Sequence, residues 1–357
     1  MRVLIVKTSA IGDVIQTFPV LAYLKHKIPE VQIDWVVEKG MAELASSHPL
    51  VNKVIQVDTK TWRRNLFQKE TWDSFRKFKK ELRETEYDLL FDLQGNSKSA
   101  LFTLMARSKE KVGYSFKRLP EKLNYLATTC RFDVPLGTNI QLQYLHLIQG
   151  YFKDLSHFPL QTVRLKSEVQ EVGLRGPILM VCFGSRWSNK QLPQETLLQL
   201  LKMIQEKFPF SFLFIFGNEE EKKWAEKFES EFPHSKALGG LTLPQLQNLM
   251  HDVGAVISMD SATLHLCGTT PTPSFSLFGP SSAHVYKPLG EQHFALQGSC
   301  PYGREFVKRC AILRTCKTGA CIKDLSAETI FQKFEDFINR CSMVSFVSPN
   351  SSSSDKC

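Results

Sequence analysis

The chain has 357 residues, 43% of them hydrophobic and 23% charged, which is typical of a soluble globular protein of two domains. No apolar run reaches the ~18 residues that a membrane-spanning helix needs. The apolar run at residues 3–6 ends at Lys7, too soon for the apolar core of a signal peptide. We therefore expect a cytoplasmic protein whose nine cysteines are thiols or metal ligands before they are disulfides, because the cytosol is reducing.

The formal net charge of +9 is unevenly distributed along the chain. Such a basic block can bind nucleic acid, an anionic membrane surface or an anionic substrate, although a charge run is most often a solvated helix face. Aromatic residues interleaved with the charges favour a membrane-facing surface, and no nucleic-acid-binding motif accompanies them. The block covers residues 60–83, with basic residues Lys60, Arg63, Arg64, Lys69, Arg76, Lys77, Lys79, Lys80 and Arg83 and aromatic residues Trp62, Phe67, Trp72, Phe75 and Phe78.

The first half of the chain alternates predicted strands and helices, which indicates a parallel, doubly wound α/β domain. Residues 107–165 look less regular, apart from one helical run. We place the end of this domain at residue 170. The predicted strands cover residues 2–7, 32–38, 53–58 and 87–94, and the predicted helices cover residues 14–27, 71–84, 100–106 and 142–152.

The second half repeats this plan over residues 171–343, so the sequence predicts a second doubly wound domain. Its last helix, residues 327–341, has an apolar face that packs either in the core of its own half or back on the first domain. Residues 344–357 contain a run of serines and are predicted to be a disordered tail. The predicted strands of this half cover residues 177–183, 212–216, 255–259 and 275–280.

The loop over residues 8–13, after the first strand, contains the first candidate site residues. Gly12 permits a tight turn and a close approach of a ligand to the backbone. Asp13 lies where a catalytic carboxylate would point into a cleft, and capping of the next helix is the alternative interpretation. The loop lacks a GxGxxG or P-loop pattern, so no dinucleotide-binding motif is present.

In the second half, cations and helix starts follow the strands. A Gly184-Ser185 turn precedes two cations, Arg186 and Lys190, which together suit a leaving diphosphate. Glu221 lies in the first turn of a helix, where an acid stabilises the helix dipole or can accept from ribose hydroxyls.

Asp260 and Ser261 follow a buried strand and precede a helix predicted to begin at Ala262. The small residues there leave backbone N–H groups open to a phosphate. For Asp260, simple capping of that helix is the alternative.

Taken together, these motifs resemble glycosyltransferase family 9, the ADP-heptose:lipopolysaccharide heptosyltransferases, over about residues 1–330. The opening motif and residues 60–64 are most similar to those of the first heptosyltransferase of the pathway. The motifs are Val-Lys-Thr-Ser-Ala-Ile-Gly-Asp at residues 6–13, Asp-Leu-Gln-Gly-Asn-Ser-Lys-Ser at 92–99, Gly-Ser with Lys190 and Pro193 at 184–193, Ser-Met-Asp-Ser with His265 at 258–265, and Phe-Gly-Pro at 278–280.

The resemblance implies a GT-B fold, two Rossmann-like domains facing a cleft, and an inverting, metal-independent transfer. An Asp-x-Asp motif is missing from the sequence, in agreement with this expectation. Asp13 matches the general base and Lys190 the residue that stabilises the leaving diphosphate. With the loops described above, the expected donor-binding residues are Ser185, Arg186, Lys190, Glu221, Leu241, Asp260, Ser261, Ala262 and His265, and the expected acceptor-binding residues are Gly12, Lys60, Arg63, Arg64, Gln94 and Lys98.

The partners implied by the resemblance are an ADP-heptose donor, a Kdo–lipid A acceptor and the cytoplasmic face of the inner membrane, with no cofactor, no nucleic acid and a monomeric enzyme. Three alternatives stay open: another family 9 transferase with a different acceptor or donor, a sugar-nucleotide epimerase of similar fold, and a non-enzymatic membrane-bound scaffold. Four clustered thiols could also bind zinc, although they lack Cys-x2-Cys pairs. These thiols are Cys300, Cys310, Cys316 and Cys321.

Overall fold

The structure is a computed structural model that describes residues 1–168 and 170–343. Its first half is built on a parallel six-stranded sheet with the spatial order 3-2-1-4-5-6. In this order the direction of winding changes between the first and the fourth strand, and ligands of doubly wound sheets bind at that switch point. The strands are β1 (Arg2–Val6), β2 (Gln32–Glu38), β3 (Val51–Val57), β4 (Glu86–Asp92), β5 (Arg107–Tyr114) and β6 (Cys130–Phe132).

The second half repeats the same topology in another parallel six-stranded sheet. Its spatial order is 12-11-10-7-8-9. Counted from the opposite edge, with strand 7 as the first strand, this is the order of the first sheet. The switch point lies between the strands numbered 7 and 10. The prediction of two doubly wound domains is therefore confirmed at the level of the sheets. The strands are β7 (Ile178–Cys182), β8 (Ser211–Ile215), β9 (Ser235–Leu238), β10 (Ala255–Met259), β11 (Ser274–Phe278) and β12 (His293–Gln297).

Helices cover both faces of each sheet, as parallel strands require. In the first half they are α1 (Ile11–Ile15), α2 (Phe18–Lys27), α3 (Ala42–Ser46), α4 (Thr59–Arg64), α5 (Lys69–Glu84), α6 (Ser97–Met105) and α7 (Ile140–Phe152). In the second half they are α8 (Gln194–Lys207), α9 (Glu219–Glu231), α10 (Leu243–His251), α11 (Ala262–Cys267), α12 (Ala283–Tyr286), α13 (Ala320–Lys323) and α14 (Ala327–Met343). Short 3-10 helices lie at Lys39–Met41, Lys122–Ala127 and Ser188–Lys190.

The single helix predicted over residues 14–27 is wrong, because the chain forms α1 and α2 with a break between them. Pro19 lies in the first turn of α2, where its missing N–H costs nothing, whereas the interior of a continuous helix would lose a hydrogen bond there. Asp13 lies inside α1 and not in the preceding loop.

Residues 107–165 are more regular than predicted, since they contain two strands of the first sheet. The first of these, β5, begins with charged residues, and only its last three residues, 112–114, are buried. The next strand, β6, has only three residues. Neither shows the continuous apolar run that marks a buried parallel strand, so the sequence pattern did not reveal them.

The C-terminal helix α14 packs in the core of the second half. Phe334 is fully buried, and its ring makes edge contacts with Phe208 and Phe275 at centroid distances of 6.0 and 5.5 Å. The predicted tail, residues 344–357, lies outside the described residues, and the domain boundary at residue 170 stays a prediction. Within the described ranges, none of the helices combines the length and the apolar character needed to cross a bilayer.

Candidate active site

The site lies where the carboxyl edges of the two sheets meet. Helix α1, which follows β1, contacts α11, which follows β10. Across this contact the Gln16 amide nitrogen lies 3.1 Å from Nδ1 of His265. A Cβ on Gly12 would lie 2.6 Å from the ring carbon Cδ2 of His265, so only glycine permits this approach. The predicted acceptor residue Gly12 therefore brings the two halves together.

The carboxylate of Asp13 lies on the first-half side of this junction. Its Oδ2 atom accepts from the Ala10 N–H at 3.1 Å, so the capping interpretation is partly correct. Its Oδ1 atom accepts from the Tyr144 hydroxyl at 3.4 Å. Burial, followed by the charge of Asp13, raises the pKa of Tyr144 well above its ordinary value, so this phenol stays a hydrogen-bond donor. Asp13 itself is partly exposed.

Lys7 is a buried cation beside Asp13, and the sequence analysis assigned it no role in the site. Its ammonium group donates to the Leu93 carbonyl at 3.2 Å and lies 4.6 Å from the centre of the Tyr144 ring. Burial lowers the pKa of Lys7, and the charges of Asp13 and Asp92 oppose this shift. The motif Val-Lys-Thr-Ser contained this signal, since a lysine at the end of a buried strand is costly unless it has partners.

The loop after β4 fixes the loop after β1. The side-chain oxygen of Gln94 accepts from the backbone N–H groups of Thr8 and Ser9, each at 3.1 Å. Asp92 is fully buried and accepts from Ser99 Oγ at 2.8 Å and Asn124 Nδ2 at 2.6 Å. The side-chain oxygen of Gln94 is occupied by these two backbone N–H donors. Its amide N–H groups are therefore the atoms with which Gln94 could bind the acceptor substrate.

The basic acceptor candidates lie at the neighbouring strand end. The side chain of Glu38, the last residue of β2, accepts from the Thr59 N–H at 3.3 Å and pairs with Lys98 at 2.9 Å. Glu38 therefore holds the start of α4 at the same edge of the sheet as Asp13. Lys60, Arg63 and Arg64 are exposed on α4.

On the second-half side, Lys190 and Asp260 form a buried ion pair. The lysine Nζ lies 2.5 Å from the carboxylate Oδ2, and the two side chains are only 11% and 7% exposed. Burial would raise the pKa of Asp260, but the charge and hydrogen bond of Lys190 together with His265 outweigh it, and the pKa is lowered. Asp260 is thus a partner of Lys190 and not a helix cap. The N-cap residue of α11 is Ser261.

The remaining donor candidates surround this pair. Ser185 is partly buried, and Arg186 is exposed with its guanidinium carbon 5.6 Å from the Trp187 ring centre. The side chain of Ser261 makes no capping hydrogen bond. The backbone N–H groups at the start of α11, which begins at Ala262, are therefore not capped by Ser261. His265 is buried, and burial lowers its pKa despite the opposing charges of Asp260 and Asp13.

Glu221, the predicted ribose contact, lies in the first turn of α9. Its Oε2 atom accepts from the Gly217 N–H at 2.8 Å, and a Cβ on Gly184 would lie 2.3 Å from its Oε1 atom. The carboxylate therefore lies between the loops after β7 and β8, so it does more than stabilise a helix dipole. Leu241 is partly buried in the loop before α10.

The four clustered cysteines Cys300, Cys310, Cys316 and Cys321 line one cavity beside Asn189 and are free thiols. As they are placed, no three or more His, Cys, Asp or Glu side chains among residues 1–168 and 170–343 could hold a metal ion. The zinc alternative stays a prediction from the sequence.

Two doubly wound domains whose strand ends meet at one cleft form a fold of the GT-B type, here with a carboxylate at one switch point and a cation–carboxylate pair at the other. A family model described as Glycosyltransferase family 9 (heptosyltransferase) matches residues 75–315. The chain belongs to this family.

One sequence relative agrees with this assignment, and two solved structures share the fold. Lipopolysaccharide heptosyltransferase 1 of Pseudomonas aeruginosa is 29% identical over 315 residues, which cover 87% of both chains. The structure of Escherichia coli heptosyltransferase WaaC with ADP is 22% identical, covers 94% of this chain and 100% of that chain, and has a TM-score of 0.78. The same enzyme with ADP-2-deoxy-2-fluoro heptose is 23% identical, covers 94% and 99%, and has a TM-score of 0.75.

Proposed function

We propose that this enzyme transfers heptose from ADP-L-glycero-D-manno-heptose to the Kdo region of lipid A, with inversion at the anomeric carbon. The observation that carries the proposal is the junction of α1 and α11, where His265 contacts Gln16 and lies within electrostatic range of Asp13, Asp260 and Lys190. The names of the curated relative and of the ligands in the two solved structures support the heptose donor and the lipopolysaccharide acceptor.

The chemistry needs a base on one side of the sugar and positive charge on the other. Asp13 takes the proton of the acceptor hydroxyl as its oxygen forms the new bond to the anomeric carbon, and the bond from that carbon to the diphosphate breaks on the opposite face. The electron pair leaves with ADP. Lys190 and Arg186 stabilise the negative charge that develops on the diphosphate, and the backbone N–H groups at the start of α11 add to this effect.

The rest of the donor occupies the loops of the second sheet. The carboxylate of Glu221 accepts from the ribose hydroxyls, Leu241 lines the adenine pocket, and Asp260 with His265 contacts the heptose. Because donor and base lie on different halves, closure of the two halves assembles the complete site.

The acceptor side explains the basic aromatic block. Lys60, Arg63 and Arg64 bind the phosphate and carboxylate groups of the acceptor, together with Lys98. Next to them Phe67 is fully exposed and Trp72 is 52% exposed. We place this surface against the anionic cytoplasmic face of the inner membrane, where a lipid acceptor would lie. We further propose that the active form is a monomer.

The test is release of ADP from ADP-heptose by the purified protein, with and without Kdo2–lipid A. We expect release that depends on the acceptor and falls by about 10²–10⁴ in Asp13→Asn. Binding of ADP to this variant should be unchanged, because Asp13 lies on the acceptor side. Asp336→Asn on the exposed surface of α14, in the other half, is the matched control and should keep full activity. Release without an acceptor, or full activity of Asp13→Asn, would contradict the proposal.

A further inference from the structure

A cation that the family motifs do not contain lies at the same edge of the second sheet. Residues 308–310 run antiparallel to residues 280–282. Ser282 donates its N–H to the Lys308 carbonyl at 2.8 Å, and Cys310 donates its N–H to the Pro280 carbonyl at 2.7 Å. Arg309 is therefore paired with Ser281. Since Pro280 comes soon after β11, this pairing holds Arg309 at the carboxyl end of the strand next to β10, which Asp260 follows.

The side chain of Arg309 is directed at Tyr286 of α12. Its guanidinium carbon lies 4.9 Å from the centre of the tyrosine ring, a distance typical of a cation–π contact. Burial raises the pKa of Tyr286, and the charges of Asp13 and Asp260 add to this shift while Arg309 opposes it. The phenol is thus within electrostatic range of both cleft carboxylates. The charge of Arg309 also reaches His265, whose pKa it helps to lower.

The charge of Arg309 is available to a ligand. Among residues 1–168 and 170–343, no carboxylate forms an ion pair with this guanidinium, whereas Lys190 is paired with Asp260. An arginine presents several N–H donors in a planar fork that matches the oxygens of a phosphate or a carboxylate. Contact with Tyr286 restricts the positions that this fork can take and lowers the entropy lost on binding.

We propose that Arg309 is a substrate-binding residue that holds an anionic group in the cleft, with Tyr286 as its platform. The inference rests on the proposed function for the identity of the substrates. Two substrate groups share the required chemistry, namely the diphosphate of the nucleotide donor and a carboxylate of the acceptor sugar. Residues 299–319, which contain three of the four clustered cysteines, would then have a function, because this segment positions Arg309 at the cleft.

The experiment compares Arg309→Gln with Lys308→Gln, which removes the same charge from the adjacent exposed residue. Steady-state kinetics with ADP-heptose and Kdo2–lipid A give KM for each substrate. We expect Arg309→Gln to raise one KM by about 10–100-fold with kcat nearly unchanged, because a charge-assisted hydrogen bond contributes roughly 1.5–3 kcal/mol. A higher KM for ADP-heptose identifies the diphosphate, and a higher KM for Kdo2–lipid A identifies the carboxylate. Arg309→Lys should recover part of the loss, and Lys308→Gln should match the wild type.

Direct binding separates this inference from the proposed function. Calorimetric titration of ADP and of free Kdo into the wild type and into Arg309→Gln needs no turnover. Weaker binding of either ligand to the variant supports the role of Arg309, even if the wild type transfers no heptose. Equal binding of both ligands, with KM values equal to those of Lys308→Gln, would overturn it.

Discussion

Lys190 and Asp260 come from loops that are 70 residues apart in sequence, and their ion pair joins the two switch-point strands of the second sheet. Breaking a buried pair from one side leaves an uncompensated charge, which costs far more than the pair itself contributes. The pair therefore fixes the geometry of the two loops, and the loss of either partner would lower the free energy of unfolding. This makes it a sensitive probe of the site.

Lys190→Met should lower the free energy of unfolding by about 3–5 kcal/mol near pH 7, because Asp260 is left buried and unpaired. The pKa of Asp260 is lowered from its ordinary value of 3.8, so the pair stabilises the fold above that pH and the contribution is lost as the pH falls through the folded-state pKa. Urea unfolding of wild type and variant should therefore show a smaller difference near pH 3.

The matched control is Lys202→Met, which breaks the exposed pair with Glu231 and should cost less than about 1 kcal/mol. If the two variants are equally stable at neutral pH, the pair is not the buried, coupled pair that the structure shows.

At this scale, the sequence revealed residues that lie in short local motifs. Asp13, Lys190 and Asp260 each follow a recognisable strand, so their place at a sheet edge could be predicted. The sequence predicts Lys7 only as the end of a strand. The ring of Tyr144, which its charge faces, is distant in sequence. Arg309 was missed for the same reason, since its role depends on a pairing with Ser281.

Among the elements, α4 and α5 combine two features that a membrane surface recognises. They expose the basic residues of the block, and the loop between them exposes Leu66 and Phe67, with Trp72 beside it. Each Lys or Arg close to an anionic lipid surface contributes roughly 1 kcal/mol. The contribution falls with added salt, whereas the part that comes from apolar side chains does not.

The triple variant Lys60→Gln, Arg63→Gln and Arg64→Gln should therefore bind vesicles of phosphatidylglycerol and phosphatidylethanolamine about a hundredfold more weakly than the wild type. Co-sedimentation at low salt measures the difference. A triple Gln variant of Lys222, Lys223 and Lys227 on α9, in the other half, removes the same charge and should bind like the wild type. Equal loss in both variants would mean that net charge alone attracts the protein, without a defined surface.

Strands with apolar runs were predicted well, and those without them were not. The continuous aliphatic runs of β1 and β10 are fully determined by burial on both faces of a parallel sheet. In contrast, β5 begins Arg-Ser-Lys-Glu-Lys and β12 is only partly buried, so tertiary pairing decides their structure. The break between α1 and α2 was visible only as Pro19, which fits the first turn of a new helix better than the interior of a single helix over residues 14–27.

Over the whole molecule, the repeated plan of two doubly wound halves follows from alternating strands and helices, and the sequence predicted it. The relative placement of the halves could not be predicted in the same way, because it depends on contacts between residues far apart in sequence. Gln16 and His265, which meet at the junction of α1 and α11, are separated by 249 residues. The contact is possible because residue 12 has no side chain.

Gly12→Ala should hold the two halves apart. The added methyl group would lie 2.6 Å from His265 Cδ2, inside van der Waals contact, and the ring has little freedom because it is buried and contacts Gln16. We expect kcat to fall by up to about 10²-fold, since a displacement of the base by roughly 1 Å has this effect. X-ray scattering should show a larger radius of gyration. Gly40→Ala is the matched control, because a Cβ there meets no atom within 4 Å. An unchanged scattering curve together with full activity would show that the junction tolerates a side chain at residue 12.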